Sequence, residues 1–213
     1  TLKDFKRAGA DLDPAGRARL EEIEVELARL KQTFSENVLD ATQNYSLTIT
    51  DRTRLKGIPE DALARFKKGA EAKGEEGWRL TIDQPSLEAV LKHAEDRNLR
   101  EELHTATVTR CTEGPNDNRP LIAQILKLRQ EKARLLGYAD YPDYRLEEQM
   151  VRSGAKARDF VAEVTKRTRP YWRRDLESLA AFGEEAGIQP LEPWDTAFLI
   201  ERLRRERFDL DEE

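Results

Sequence analysis

Apolar residues recur at steps of three and four along most of the chain. From Asp13-Pro14, a capping residue followed by a first-turn proline, Leu20, Ile23, Leu27, Leu30, Phe34 and Val38 form one stripe. That stripe predicts a helix of about seven turns. The period then changes to two. Tyr45, Leu47 and Ile49 alternate with Ser46, Thr48 and Thr50, and Trp78, Leu80 and Ile82 alternate with Arg79 and Thr81. Strands over about 45–50 and 78–82 are predicted, paired across an excursion. The excursion holds a short helix opened by Pro59-Glu60-Asp61 and ended near Gly69. Behind Asp83-Gln84-Pro85-Ser86 come two further helical patterns, Leu87, Val90, Leu91, Ala94 and then Leu99, Leu103, Ala106.

The strongest breaker is Cys111-Thr-Glu-Gly-Pro-Asn-Asp-Asn118. It divides the chain into a segment 1–112, helical with a small β element, and an all-helical segment 113–213. The second segment opens with a helix carrying Leu121, Ile122, Ile125, Leu126, Leu128, Leu135 and Leu136, which Gly137 terminates. A helix over about 141–153 follows, and a longer one over about 155–186. Pro170 inside it predicts a kink or a junction. Beyond Pro190 and Pro193, Trp194-Asp195 begins a last helix to about Arg207. No repeat of solenoid period is visible. The expected fold is mainly α, with one small two-stranded β element.

Composition narrows the function. The chain has 213 residues, a net charge of -5 and 37% charged residues. Acids and bases are interleaved, as on solvated helix faces, and the negative balance argues against nucleic acid as a partner. No apolar run approaches the roughly 20 residues needed to cross a bilayer, so no membrane partner is expected. The single cysteine, Cys111, points to a reducing, cytoplasmic setting. The start at Thr1 and the ending Phe208-Asp-Leu-Asp-Glu-Glu213, which reads as the acidic first turn of a further helix, suggest a piece of a longer protein.

A search for chemistry returns mostly negatives. His93 and His104 lie outside any H-E-x-x-H, H-x-x-E-H or Cys/His zinc spacing, and read as exposed or capping residues. Cys111 adjoins Arg110 but has no lysine, arginine run or histidine nearby in sequence, and reads as a structural or incidental thiol rather than a nucleophile. No Walker loop, G-x-S-x-G or G-x-G-x-x-G occurs. Glu21-Glu22, Glu75-Glu76, Glu147-Glu148 and Glu184-Glu185 read as solvated helix faces, and so does the run Arg202–Arg207. Tyr138, Tyr141 and Tyr144 suit either packing or peptide contact, with packing under the Gly137 turn preferred. No catalytic or metal-binding residue is assigned, and no substrate-binding position is identified.

The run Asn118, Leu121-Ile122, Ile125-Leu126, Leu128-Arg129, Glu131-Lys132-Ala133, Leu135-Leu136-Gly137-Tyr138 resembles the thimet oligopeptidase, neurolysin and oligopeptidase A family of zinc metallopeptidases. Similar segments include Asp143-Tyr144, Leu146-Glu147, Met150, Pro193-Trp194-Asp195 and Phe208–Glu213, and, earlier, Phe34–Asn37 and Leu55–Glu60. Pro142 and Phe198-Leu199 depart from the family pattern, where a small residue and an aromatic pair are common. The resemblance implies a two-lobed peptidase with a deep channel, acting on short peptides. Its zinc is held by the two histidines of an H-E-x-x-H helix and a downstream glutamate, with the motif glutamate activating water. All of these would lie C-terminal to this segment, so no catalytic position transfers. The segment would then be inactive scaffold and channel wall, part of each lobe, partnered by the remaining catalytic part of the same chain. The competing reading is a non-enzymatic helical interaction module that lost the zinc site.

Overall fold

Asp13 accepts a 2.7 Å hydrogen bond from the Gly16 amide and opens the first long helix. In the computed structural model, which describes residues 2–208, that helix (α2, Pro14–Asn44) follows a short α1 (Leu2–Arg7). Next come β1 (Leu47–Ile49), a 3-10 turn (Arg52–Leu55), α3 (Glu60–Glu71), β2 (Trp78–Leu80), α4 (Gln84–His93) and α5 (Arg97–Val108). The remainder is a 3-10 turn (Gly114–Asn116), α6 (Arg119–Leu135), α7 (Tyr141–Leu146), α8 (Gly154–Glu185), a 3-10 turn (Pro193–Asp195) and α9 (Thr196–Phe208). The fold is mainly α with a two-stranded antiparallel sheet. Residues 209–213 of the acidic ending lie outside the described residues.

Compactness groups the chain into two units, 1–38 with 114–170, and 39–113 with 171–213. The chain passes between them at the breaker, but also inside α2 and α8, the second passage directly after Pro170. This grouping differs from contiguous segments 1–112 and 113–213. The reason is the length of α2 and α8, each roughly 45 Å at 1.5 Å per residue. α8 is helical through Pro170, whose missing amide costs one internal bond without ending the element.

In the first unit, Ile23, Leu27 and Leu30 of α2 bury against Ile125 of α6, with Leu121, Leu128 and Leu135 packed around them. Asn118 is buried beside this core. Its amide donates to the Phe34 carbonyl at 3.1 Å and its side-chain oxygen accepts from Asn37 at 2.8 Å. Gly137 sits at φ 84° and ends α6 in a Schellman motif, with Tyr138 N bonded to Ala133 O and Gly137 N to Arg134 O. α7 is shorter than the helix expected over 141–153. Asp140 caps it through the Asp143 amide, and Asp143 in turn accepts from Gly154 N. The intervening chain turns through Arg152 at φ 61°. Pro142 falls in the first turn of α7, where a missing amide is harmless.

In the second unit, Leu47, Thr48 and Ile49 pair with Leu80, Arg79 and Trp78. Each strand is three residues long, shorter than the alternation suggested. One core cluster gathers Leu55, Ile58, Leu63, Phe66, Leu80, Val90, Leu99 and Leu103 under this sheet and its helices. A second joins Leu179 and Phe182 of α8 to Phe198 and Leu199 of α9. Asp83 and Asp96 cap α4 and α5 through Ser86 N, and through Asn98 N and Leu99 N.

Candidate functional site

The residues singled out for chemistry do not converge. His104 is half-buried and meets the Trp194 ring edge-on at 5.9 Å. His93 closes α4 beside a surface cavity of about 550 Å³, with Glu95, Phe198, Glu201 and Arg205 among its other walls. Both are half-buried, and His93 stands in the last turn of α4. Cys111 is half-buried at φ 58°. Among the described residues no three His, Cys, Asp or Glu side chains group to hold a metal ion. The run Arg202–Arg207 is a paired helix face, with Arg202 near Glu206 at 3.5 Å and Arg205 on Glu201 at 3.2 Å.

Two side-chain clusters are built with care. The first surrounds the tyrosines. Tyr144 is buried, with the Tyr138 ring edge-on at 5.3 Å and the Tyr141 ring tilted at 5.8 Å. The Arg7 guanidinium lies 4.5 Å from the Tyr144 ring centre and the Lys132 ammonium 4.9 Å from it. Arg7 also donates to Glu147 at 2.8 Å, and the Tyr138 hydroxyl donates to the same carboxylate oxygen at 2.6 Å. Lys132 pairs with Glu24. An open cavity of about 700 Å³ adjoins, lined by Arg7, Arg17, Leu20, Glu21, Glu24 and Tyr144.

Electrostatics there favour fixed charge over proton exchange. The Tyr138 hydrogen bond, with help from Arg7 and Lys3, holds Glu147 below the usual glutamate value against the opposing effect of burial. Burial and the Glu147 charge push the Tyr138 phenol up. Burial alone would lower Lys132, but Glu24 and Tyr144 keep it above the usual lysine value. At neutral pH the carboxylate is therefore ionised and the phenol protonated, and neither is poised as an acid or base. The cluster fastens α1, α6 and α7 together. Tyr138→Phe is expected to lose about 1 kcal/mol, since Glu147 is partly exposed and keeps Arg7; a urea titration of the two proteins measures it, and an unchanged midpoint would contradict it.

The second cluster escaped the sequence reading. Arg100 and Asp195 are both fully buried. Asp195 accepts from Arg100 at 2.8 Å, from Arg97 at 2.7 Å and from the Glu192 amide at 3.1 Å. Arg100 spends its other donors on the Ala94, Glu95 and Trp194 carbonyls, and its guanidinium lies 4.1 Å from the Phe198 ring centre. Phe198 and Leu199 are thus core residues beneath a buried cation. The signal was present: Arg100 stands on the apolar face of its helix between Leu99 and Leu103, where a charge needs a partner.

Residues 90–213 match the model of Peptidase family M3. The whole chain is 38% identical to oligopeptidase A of Salmonella typhimurium, covering 32% of that protein. It is 37% identical over its whole length to the organellar oligopeptidase A, chloroplastic/mitochondrial, of Arabidopsis thaliana, covering 28% of it. With 98% of the chain aligned, it is 32% identical to dipeptidyl carboxypeptidase of Escherichia coli, covering 31% of that protein. The chain spans about a third of the length of these relatives.

Proposed function

The chain belongs to peptidase family M3, and from that membership we propose that it forms scaffold and channel wall of a zinc-dependent oligopeptidase that hydrolyses short peptides in its full-length form. The observation that carries this reading is identity of 38% to an oligopeptidase A along the entire chain. The described residues do not fit the zinc that the family implies, because no ligand group assembles among them. On this reading the zinc ligands belong to the remaining catalytic part of the same polypeptide. The chain's own residues position rather than react. Arg97, Arg100 and Asp195 hold the 190–195 loop on α5, and Arg7, Glu147 and the tyrosines hold α7 under α6. Assignment of the segments 1–112 and 113–213 to two lobes, and a cytoplasmic setting, are parts of the same proposal.

The 213-residue chain alone is expected to bind no stoichiometric zinc and to cleave no peptide. Zinc titration beside a fluorogenic peptide assay measures both, and tight one-to-one binding with turnover would overturn the reading. Translating the gene past Glu213 tests the parent directly. An H-E-x-x-H with a downstream glutamate supports the peptidase, whereas a stop codon turns the reading to a non-enzymatic helical module.

A further inference from the structure

One face of the first unit combines open apolar surface with unanswered positive charge. Phe34, Ser35 and Lys31 of α2 and Ile122, Ile125, Leu126 and Arg129 of α6 line a groove of about 280 Å³. Ile125 forms its buried floor, while Ile122 and Leu126 are 45% and 58% exposed. The walls hold two cations and no anion. Arg129 Nε is buried with no hydrogen-bond partner, although most arginines of this chain find carboxylates. The Arg129 guanidinium rests 5.3 Å from the Tyr141 ring centre, a contact that supplies no acceptor for Nε. Lys31 makes no ion pair among the described residues.

We infer that this α2/α6 groove seats an acidic amphipathic helix from the part of the peptidase outside these 213 residues. The inference rests on the reading of the chain as part of a longer oligopeptidase. A groove between two helices takes the apolar ridge of a third. Its volume of about 280 Å³ accommodates the side chains that one helix face presents. A seat that small gives weak affinity to a free segment, but a tethered one reaches it at high effective concentration. Relatives about three times as long supply the length for such a tether. The charge fixes the chemistry of the occupant. An apolar residue fills the space over Ile125, and a carboxylate on the same helix face meets the Arg129 guanidinium where it lines the groove, with Lys31 within the same field.

Thiol labelling tests this. Leu126→Cys is placed in a Cys111→Ser background, in the 213-residue chain and in the full-length gene product. Each labelling rate is normalised to that of the same protein in denaturant. Labelling at least tenfold slower in the full-length protein is expected, with Arg129→Glu restoring at least threefold. Equal rates in the two proteins would overturn the inference, as would protection that appears in the 213-residue chain on raising its concentration, which marks a second copy as the occupant. Peptidase activity of the same full-length preparation separates the two readings. An active protein with an unprotected thiol removes only the docked helix; an inactive protein with a protected thiol keeps the helix and removes the peptidase.

Discussion

Asp195→Ala is expected to destabilise the protein by about 3–5 kcal/mol, the cost of leaving a buried charge without its partner. Arg100 has no route to water, since it is fully buried, and its remaining acceptors are neutral carbonyls. Arg97→Met provides the comparison. It leaves the Arg100–Asp195 pair and the Glu192 amide bond intact, and Arg97 is one-third exposed; about 1–2 kcal/mol is expected. Urea denaturation at pH 7 ranks the variants, and an Arg97→Met loss equal to that of Asp195→Ala would refute the argument. The pH dependence follows from the same carboxylate. Burial pushes Asp195 up, but hydrogen bonds from Arg97, Arg100 and the Glu192 amide outweigh it and hold the group below the usual aspartate value. Its stabilisation is complete above the unfolded value of about 3.9 and is lost as pH falls through the lower folded value. The gap between wild type and Asp195→Ala is therefore wide at pH 7 and narrows only in strong acid.

Gly57→Ala is expected to cost about 2–5 kcal/mol, the sum of left-handed strain and a forced backbone shift. Gly57 has φ 89°, and an added Cβ would stand 2.2 Å from the His93 carbonyl oxygen. That oxygen is backbone at the end of α4, and the neighbouring Glu95 amide is bonded to Lys56 O, so the two segments cannot part without losing the contact. Gly137→Ala separates the two causes. Gly137 has φ 84° but open space around its missing Cβ, so only the conformational strain of about 1–2 kcal/mol remains. Thermal or urea unfolding of both variants measures the difference, and equal losses would mean that the His93 contact yields freely.

The elements with a steady period were legible in the sequence. The α2 stripe fell where Leu20, Ile23, Leu27 and Leu30 are buried, and the two alternating runs did pair. The stop at Gly137 was readable because only glycine enters the left-handed region freely. The end of α7 was not, because Glu147-Glu148-Gln149-Met150 contains no breaker. Beyond it the chain runs on in turns through Arg152 at φ 61°, and Asp143 accepts from the Gly154 amide across them. Periodicity also names an apolar face without saying what covers it. Ile122 and Leu126 keep the register of Ile125, yet only Ile125 is buried. The Arg100–Asp195 pair joins residues 95 positions apart, a distance at which one sequence offers no sign of contact. The segments that resemble the family turn out to carry such fastenings: Asn37 with Asn118, Gly57 against His93, and Asp195 beneath the α5 arginines.

That separation also orders events on the ribosome. Residues 49–103 contain the whole of the larger core cluster of their unit, so it can close as soon as they emerge. Arg100 belongs to that stretch, but its carboxylate follows 95 residues later, roughly 5–20 s at synthesis rates of about 5–20 residues per second. Until then the guanidinium must stay hydrated, and the edge of α5 that will face Phe198 stays open to other proteins in the cell. The nascent chain thus has a timed interval of vulnerability, ended by the arrival of Trp194-Asp195, and pausing of translation between residues 100 and 195 would lengthen it.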